Sequence, residues 1–316
     1  MNYYIGIDGG GTSSKGVLVN DKGQIQAHAS GGPSNINNIG IHKTIENLSV
    51  LVTHLMQSIP ADELAGIGFG LSGAGRAEDQ QRIKDSWLEK NNAYSASIIV
   101  HHDAFAAAMG ASAGKGGVIA ISGTGSIVYG IYHQKEYRAG GYGYLLGDEG
   151  SGYYIGSLAL HKGLAHHDGL CEAPELYREL CLFYEVENLP QIVSKVYQNP
   201  DPKGMISSCC ALVFSLLEKG NEDARQIIDS SNADFARQII AVFKQMNFST
   251  HILYPIGSLF NNPLMRANLE TQFTDSSNYI VLGKKAYNPE IGMILACLEA
   301  QNQPISAKFL QNLSDG

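Results

Sequence analysis

Cysteine is scarce in this chain and missing from its first half. The 316 residues contain five, at 171, 181, 209, 210 and 297. None has the spacing of a metal-binding pair, and Cys209 and Cys210 are adjacent, so reduced thiols and a cytoplasmic location are expected rather than a disulfide frame. Long apolar runs are lacking too. No stretch approaches the ~20 residues of a membrane span, and the N-terminal residues carry no basic segment followed by an apolar one, so no secretory signal is expected. Positive charge is in deficit: 22 Lys and Arg against 30 Asp and Glu give a net charge of −8. That excludes a nucleic acid or an anionic membrane as the main partner. It leaves open a local phosphate cradle working against the global sign.

What the chain has in abundance is glycine, 36 residues gathered at the ends of apolar runs. A length of 316 residues suits two domains. The first apolar run, "YYIGID", predicts a strand over 3–8 that meets Gly9-Gly10-Gly11-Thr12. Strands follow at 15–20 and 24–29 around a tight turn at 21–23, then a helix over 41–57, where Ile41, Ile45, Leu48, Leu51, Val52 and Leu55 fall at helical spacing. Strand 64–71, helix 76–90, strand "ASIIV" and an Ala-rich helix after Asp103 complete the first pattern.

Then the pattern repeats. "GGVIAISGTGSIVYGIYHQKEYRAGG" (116–141) is again strand, glycine corner, strand, turn, strand. Asp8-Gly9-Gly10-Gly11-Thr12 aligns with Ser122-Gly123-Thr124-Gly125-Ser126, an offset of 122 − 8 = 114 residues. Helices to about 247, a strand at 251–256, a helix at 261–271, a strand at 279–283 and a helix from 288 follow. The expectation is a duplicated α/β chain. Domain one covers 1–115 and is completed by the C-terminal helix, about 288–316. Domain two covers 116–287 with a helical insertion at about 153–247.

Glycine corners of this kind let backbone N–H groups approach phosphate oxygens. Thr12, Ser13, Thr124 and Ser126 add hydroxyl donors, and Lys15 is either a phosphate contact or a strand-surface lysine. The plain alternative for each corner is a hairpin turn. Two corners at matching positions favour one polyphosphate gripped from both sides. Asp103, between a buried strand and a helix, stands where open α/β sheets present functional groups; as a bare residue it equally suits a helix N-cap. Other motifs fail on context. Gly68-Phe69-Gly70-Leu71-Ser72-Gly73 fits G-x-G-x-x-G, but the acidic residue in range, Glu89, lies in a helical pattern. "AGKGG" (113–117) lacks the Ser/Thr of a phosphate loop, and the adjacent pairs His101-His102 and His166-His167 have poor geometry for one metal.

Taken together, "GIDGGGTSSKG", "LSGAG", "HHDA", "ISGTGS" and "GGYGYLLGDEGSG", in that order, resemble the N-acetylglucosamine kinase and BadF-type ATPase branch of the actin-like sugar-kinase superfamily. The resemblance implies two ribonuclease-H-like (actin-like ATPase) domains with an interdomain cleft, ATP deep in it and an amino sugar between the domains. It implies a kinase transferring phosphate from ATP to a hydroxyl, O6 by the family likeness, of N-acetylglucosamine, N-acetylmuramic acid or glucosamine. Asp103 matches the catalytic base, with His102 where relatives carry Asn. Asp8, Gly10, Gly11, Thr12, Ser13, Lys15, Gly123, Thr124, Gly125, Gly257 and Ser258 match the ATP site, and Asp8 faces Mg2+ through water. Asn35, Ile36, Ser72, Gly73, Ser126, Ile127, Gly141, Tyr142, Gly143 and Asp148 match the sugar site, with Tyr142 where a Trp is usual. By themselves Asn35 reads as a turn residue and Asp148 as a helix N-terminal carboxylate. A homodimer is implied as well.

Two rivals carry the same fold: an activating ATPase with a cysteine-held iron–sulfur cluster, and a sugar sensor without catalysis. The lack of cysteine over 1–170 weighs against the first and Asp103 against the second. Glucokinases of the ROK type are a nearer alternative, but their cysteine-rich zinc motif is missing.

Overall fold

Alternation along the first apolar run decides what surrounds it. In the computed structural model, which describes residues 1–133, 135–247, 251–274 and 280–314, this run is strand β1 (Tyr3–Gly9). Tyr3, Ile5 and Ile7 enter one apolar cluster and Tyr4 enters another, as the two faces of a strand require. β2 (Ser14–Asn20) pairs antiparallel with β1, and β3 (Ile25–Gly31) with β2. Next comes α1 (Ile36–Leu55), broken at Gly40, whose φ is 73°. The uninterrupted helix therefore starts beyond Gly40, and the "NIN" stretch before it forms an extra turn that sequence periodicity did not indicate. β4 (Leu64–Leu71), α2 (Ala77–Lys90), β5 (Ser97–His101) and α3 (Asp103–Ala111) follow. β4 runs parallel to β1 and β5 parallel to β4. The fully buried Trp87 of α2 closes this core against Phe69, ring centroids 4.8 Å apart.

The second half repeats the plan. β6 (Gly117–Ser122), β7 (Ser126–Tyr132) and β8 (Lys135–Gly140) form its meander. Six helices intervene: α4 (Gly152–His167), α5 (Pro174–Tyr184), α6 (Ile192–Gln198), α7 (Pro202–Ser208), α8 (Cys210–Glu218) and α9 (Glu222–Met246). β9 (Ile252–Ile256), α10 (Pro263–Thr274) and β10 (Val281–Leu282) complete the sheet. The strand orders are β3-β2-β1-β4-β5 and β10-β9-β6-β7-β8. Numbered within its own half, the second sheet read from β8 is the first sheet again, so the duplicated α/β fold is present.

Three elements differ from expectation. The helix expected over 261–271 starts at Pro263, after a 3-10 turn at Ser258–Asn261, because proline suits the first helical position. The strand expected over 279–283 is observed at 281–282, and residue 279 lies outside the described residues. The single C-terminal helix from 288 is two helices, α11 (Pro289–Ala300) and α12 (Ala307–Ser314). Asn302, at φ 53°, and the following Pro304 interrupt it; residues 315 and 316 lie outside the described residues.

The chain divides into two compact units: 1–119 with 131–135 and 284–316, and 120–130 with 136–283. In the first, α11 lies directly on backbone. A Cβ on Gly6 would overlap the Glu290 carbonyl oxygen, and one on Gly68 would stand 2.6 Å from that of Met293. Gly68 and Gly70 of the G-x-G-x-x-G stretch are thus spacers under α11 and α3, which removes the dinucleotide reading. α12 caps the β2–β3 turn, where Asn312 Nδ2 donates to the Lys22 carbonyl at 2.7 Å.

Gly6→Ala is expected to lower the urea midpoint of the protein by an amount equivalent to about 1–3 kcal/mol, the usual cost of overpacking. Gly75→Ala, where an added Cβ meets nothing within 4 Å, is expected to stay within about 0.5 kcal/mol. Equal midpoints for the two variants would refute the close contact.

Candidate functional site

The carboxyl ends of three parallel strands bring the first group together. Asp8 pairs in register with Gly70 and Gly70 with His101, so the exits of β1, β4 and β5 lie side by side. The Ser72 N–H donates to the Gly9 carbonyl at 2.8 Å, tying the β4 exit to the glycine corner. The Ser72 hydroxyl donates to Asp103 Oδ2 at 2.7 Å, and the Ala104 N–H donates to Oδ1 at 2.8 Å. Ser72 therefore orients the candidate base through its side chain, a role that its expected place in the sugar site did not include. Asp103 is not the helix cap. His102 is: its Nδ1 accepts from the Phe105 N–H at 3.2 Å. A histidine thus takes over the cap and leaves Asp103 in the first turn with its carboxylate turned to Ser72.

The corner after β1 closes by a bond from the Gly10 N–H to the Ser13 carbonyl at 2.9 Å. Gly11, Thr12 and Ser13 are exposed at its tip. Lys15 is exposed as well and lies opposite Asp8 across β1 and β2. Asn35 caps the first turn of α1 through the Asn37 N–H, and its Oδ1 lies 2.6 Å from where a Cβ on Gly73 would be. Gly73, at φ 90°, lets the loop pass there. Ile36, expected in the sugar site, has its side chain buried in the core, so only its backbone is available to a ligand.

Asp8 is electrically uncomfortable. Its side chain shares a strand face with Tyr4 and Gly6, the face covered by α11. Burial, then the negative charges of Glu290 and Asp103, push its carboxyl up to about 6, with Lys15 opposing weakly. A half-buried carboxylate with two acidic neighbours and one exposed lysine would be relieved by a divalent cation, so these residues fit Mg2+. Glu290, itself buried, was missed by sequence reading, since 282 positions (290 − 8) separate it from Asp8.

The second unit presents a different corner. The Gly123 N–H donates to the Gly125 carbonyl at 2.9 Å, and the Gly152 N–H at the start of α4 donates to the Gly123 carbonyl at 2.8 Å. Ser122 and Ser126 donate to the carbonyls of Gly150 and Glu149 at 2.6 and 2.7 Å. Ser126 is therefore engaged in holding the 147–150 segment, while Thr124 stays exposed. Asp148, at φ 67° and buried, pairs with Lys203 of α7 at 2.9 Å. A Cβ on Gly125 would stand 2.8 Å from both charged atoms. The α4 cap is Ser151, not Asp148. Gly257, at φ 109°, packs on the Ser122 backbone. Gly123, Thr124 and Ser258 then border a pocket of about 310 Å³ completed by Ser207, Cys210, Phe214 and Asn262 among others. Ile127 lies under Gly141, and Tyr142 is 63% exposed.

The sequence model of the BadF/BadG/BcrA/BcrD ATPase family matches residues 5–296. The chain belongs to that family. It is 31% identical over 269 residues to an N-acetylmuramic acid/N-acetylglucosamine kinase of Clostridium acetobutylicum, covering 83% of this chain and 87% of the relative. It is 27% identical to an N-acetyl-D-glucosamine kinase of Dictyostelium discoideum, over 94% of this chain and 98% of the relative. A Chromobacterium violaceum structure provisionally named an N-acetylglucosamine kinase shares the fold at TM-score 0.72 and 24% identity, over 94% of this chain and 99% of that one.

Within this family member, the pocket walls supplied by α7 and α8 carried no motif that could have announced them. Cys210 is one of those walls, and burial pushes its thiol up to about 12, so it is a poor nucleophile there. Asp8 gives the site a measurable signature. The folded protein holds this proton more tightly than the unfolded chain, whose carboxyl titrates near 3.8. Stability therefore falls as pH rises between about 3.8 and 6, and the penalty is complete above that. Asp8→Asn is expected to raise stability near neutral pH by up to about 3 kcal/mol, and the advantage is expected to fade below about pH 4. Thermal unfolding of both proteins across pH without nucleotide reads this directly; a pH-independent difference would contradict it.

Proposed function

We propose that this chain is an ATP-dependent kinase that phosphorylates an amino sugar, N-acetylglucosamine, N-acetylmuramic acid or glucosamine, on O6. The observation that carries the proposal is the Asp103 carboxylate, held by Ser72 and the Ala104 N–H at the mouth of three parallel strands and beside a glycine corner. The curated relatives, named as kinases of these sugars, support the substrate class.

In this reading the sugar hydroxyl approaches Asp103, which accepts its proton as the oxygen attacks the γ-phosphorus and the bond from that phosphorus to the β,γ-bridging oxygen breaks, releasing ADP. Ser72 and Ala104 occupy one lone pair on each carboxylate oxygen, so the base is aimed before the sugar arrives and no side-chain search is needed. Backbone N–H groups and hydroxyls of residues 10–13 and 123–125 receive the phosphates of ATP, with Lys15 near the first corner. The pocket beside Thr124 and Ser258 takes the adenosine, and Gly257 lets the chain turn into it. Asp8 would hold magnesium through water, and the ion would supply neutralisation of charge on the phosphates. Asn35, Gly73, Gly141, Tyr142, Gly143 and Asp148 form the sugar contacts, with backbone from Ile36, Ser126 and Ile127. Lys203 fixes the Asp148 side chain for this through their ion pair at 2.9 Å. Water must be kept from the γ-phosphate, since a water in place of the sugar would hydrolyse ATP.

The same reading includes a homodimer and a cytoplasmic location. The five cysteines are all free, four of them buried, which suits a reducing compartment. It also suits a kinase better than an activator whose cluster needs accessible thiolates, because burial pushes Cys209 and Cys210 up to about 11 and 12.

Asp103→Asn is expected to cut turnover about 10²–10⁴-fold while ATP and sugar affinities stay near normal. Release of ADP against a panel of amino sugars and plain hexoses, with the phosphate position read by NMR, tests the whole reading. Near-normal turnover in the variant, or no sugar-dependent ADP release by the native protein, would overturn it.

A further inference from the structure

The loop that carries Tyr142 is held on its far side by Tyr144, which packs edge-on against Tyr153 with ring centroids 5.1 Å apart; the Gly140–Gly143 stretch has little of its own to hold it. Gly140, Gly141 and Gly143 have φ of 69°, 70° and 88°, and Tyr142, Leu145 and Leu146 are 63%, 78% and 80% exposed. One bond within it, from the Leu146 N–H to the Gly143 carbonyl at 3.0 Å, closes a turn. Gly141 rests on Ile127 and Gly140 on Gln238, with no room for a side chain at either. Such a segment is costly to order when a ligand arrives. At the Gly140–Gly143 stretch a side chain opposes that cost. Arg138, at the end of β8, folds over the loop: its Nε donates to the Gly140 carbonyl at 3.0 Å and its Nη2 to the Gly141 carbonyl at 2.6 Å. Its guanidinium carbon sits 4.8 Å from the centroid of the Tyr142 ring.

We propose that Arg138 is a positioning residue for the amino sugar: it clamps the Gly140–Gly143 loop through two carbonyls and covers one face of Tyr142, so the ring offers the sugar its other face. The inference rests on the kinase reading. The clamp acts alike on bound sugar and on the transition state, so its loss weakens binding without slowing chemistry. A lysine cannot replace it, because an ammonium is a point charge without the planar fork.

Two measurements test it. In the native background, Arg138→Met is expected to raise KM for the sugar about tenfold, with kcat within about twofold and KM for ATP unchanged, and Arg138→Lys is expected to recover little of this. Separately, Tyr142→Trp introduces a reporter that acrylamide can quench, since the chain's one tryptophan, Trp87, is fully buried. Adding Arg138→Met to that protein is expected to increase the quenching constant about twofold as the covered face opens. Unchanged KM together with unchanged quenching overturns the clamp, as does a loss of kcat with KM for the sugar unaltered. If the native protein transfers no phosphate to any amino sugar, the kinase reading falls, while the quenching pair still decides whether Arg138 holds the loop.

Discussion

The return of α11 onto β1 is the contact on which the rest depends. Gly6 has no side chain, so the backbone of α11 reaches the strand there, and Glu290 arrives beneath Asp8. Gly110 and Gly292 repeat the device between α3 and α11: a Cβ on Gly110 would meet the Asn288 backbone just before α11, and one on Gly292 the Ala106 and Gly110 backbone of α3. Close packing of this kind fixes helix positions to fractions of an ångström, because interiors tolerate little extra volume. It also sets the electrostatics of the first corner. Asp8, Asp103 and Glu290 are gathered where burial already disfavours charge, and a protein that keeps such an arrangement gives up stability for it. A bound cation would repay the cost.

Duplication supplied two copies of one topology, and the copies have diverged in chemistry. At the position of Asp8 the second sheet has Ser122, whose hydroxyl is fully buried on the Gly150 carbonyl. The first corner keeps a carboxylate and exposed hydroxyls. The second is bound down to α4 and borders a pocket. The shared fold explains the two corners; it does not explain which one carries acid chemistry.

Residues around the candidate site are held by neighbours more than by their own elements. His102 caps α3 and so frees Asp103 from that task. Lys203 fixes Asp148, whose backbone sits in the left-handed region at φ 67°. Ser126 and Gln238 hold Glu149 by its carbonyl and its carboxylate. Side chains positioned this way need little rearrangement on binding.

The sequence by itself determined the strands, the two glycine corners, the repeat that relates them and the identity of Asp103 and Asp8 as acids at strand ends. Apolar runs, glycine clusters and a 114-residue offset are local or self-similar signals, and they survive in one dimension. The resemblance added the roles. Tertiary structure alone decided that Glu290 lies under Asp8, that Ser72 aims Asp103, that Lys203 pairs with Asp148 and that α7 and α8 wall the pocket. It also moved the α3 cap to His102. The contacts of Glu290, Ser72 and Lys203 join residues 31 to 282 positions apart, and nothing in composition or periodicity records which distant side chains a folded backbone will bring together.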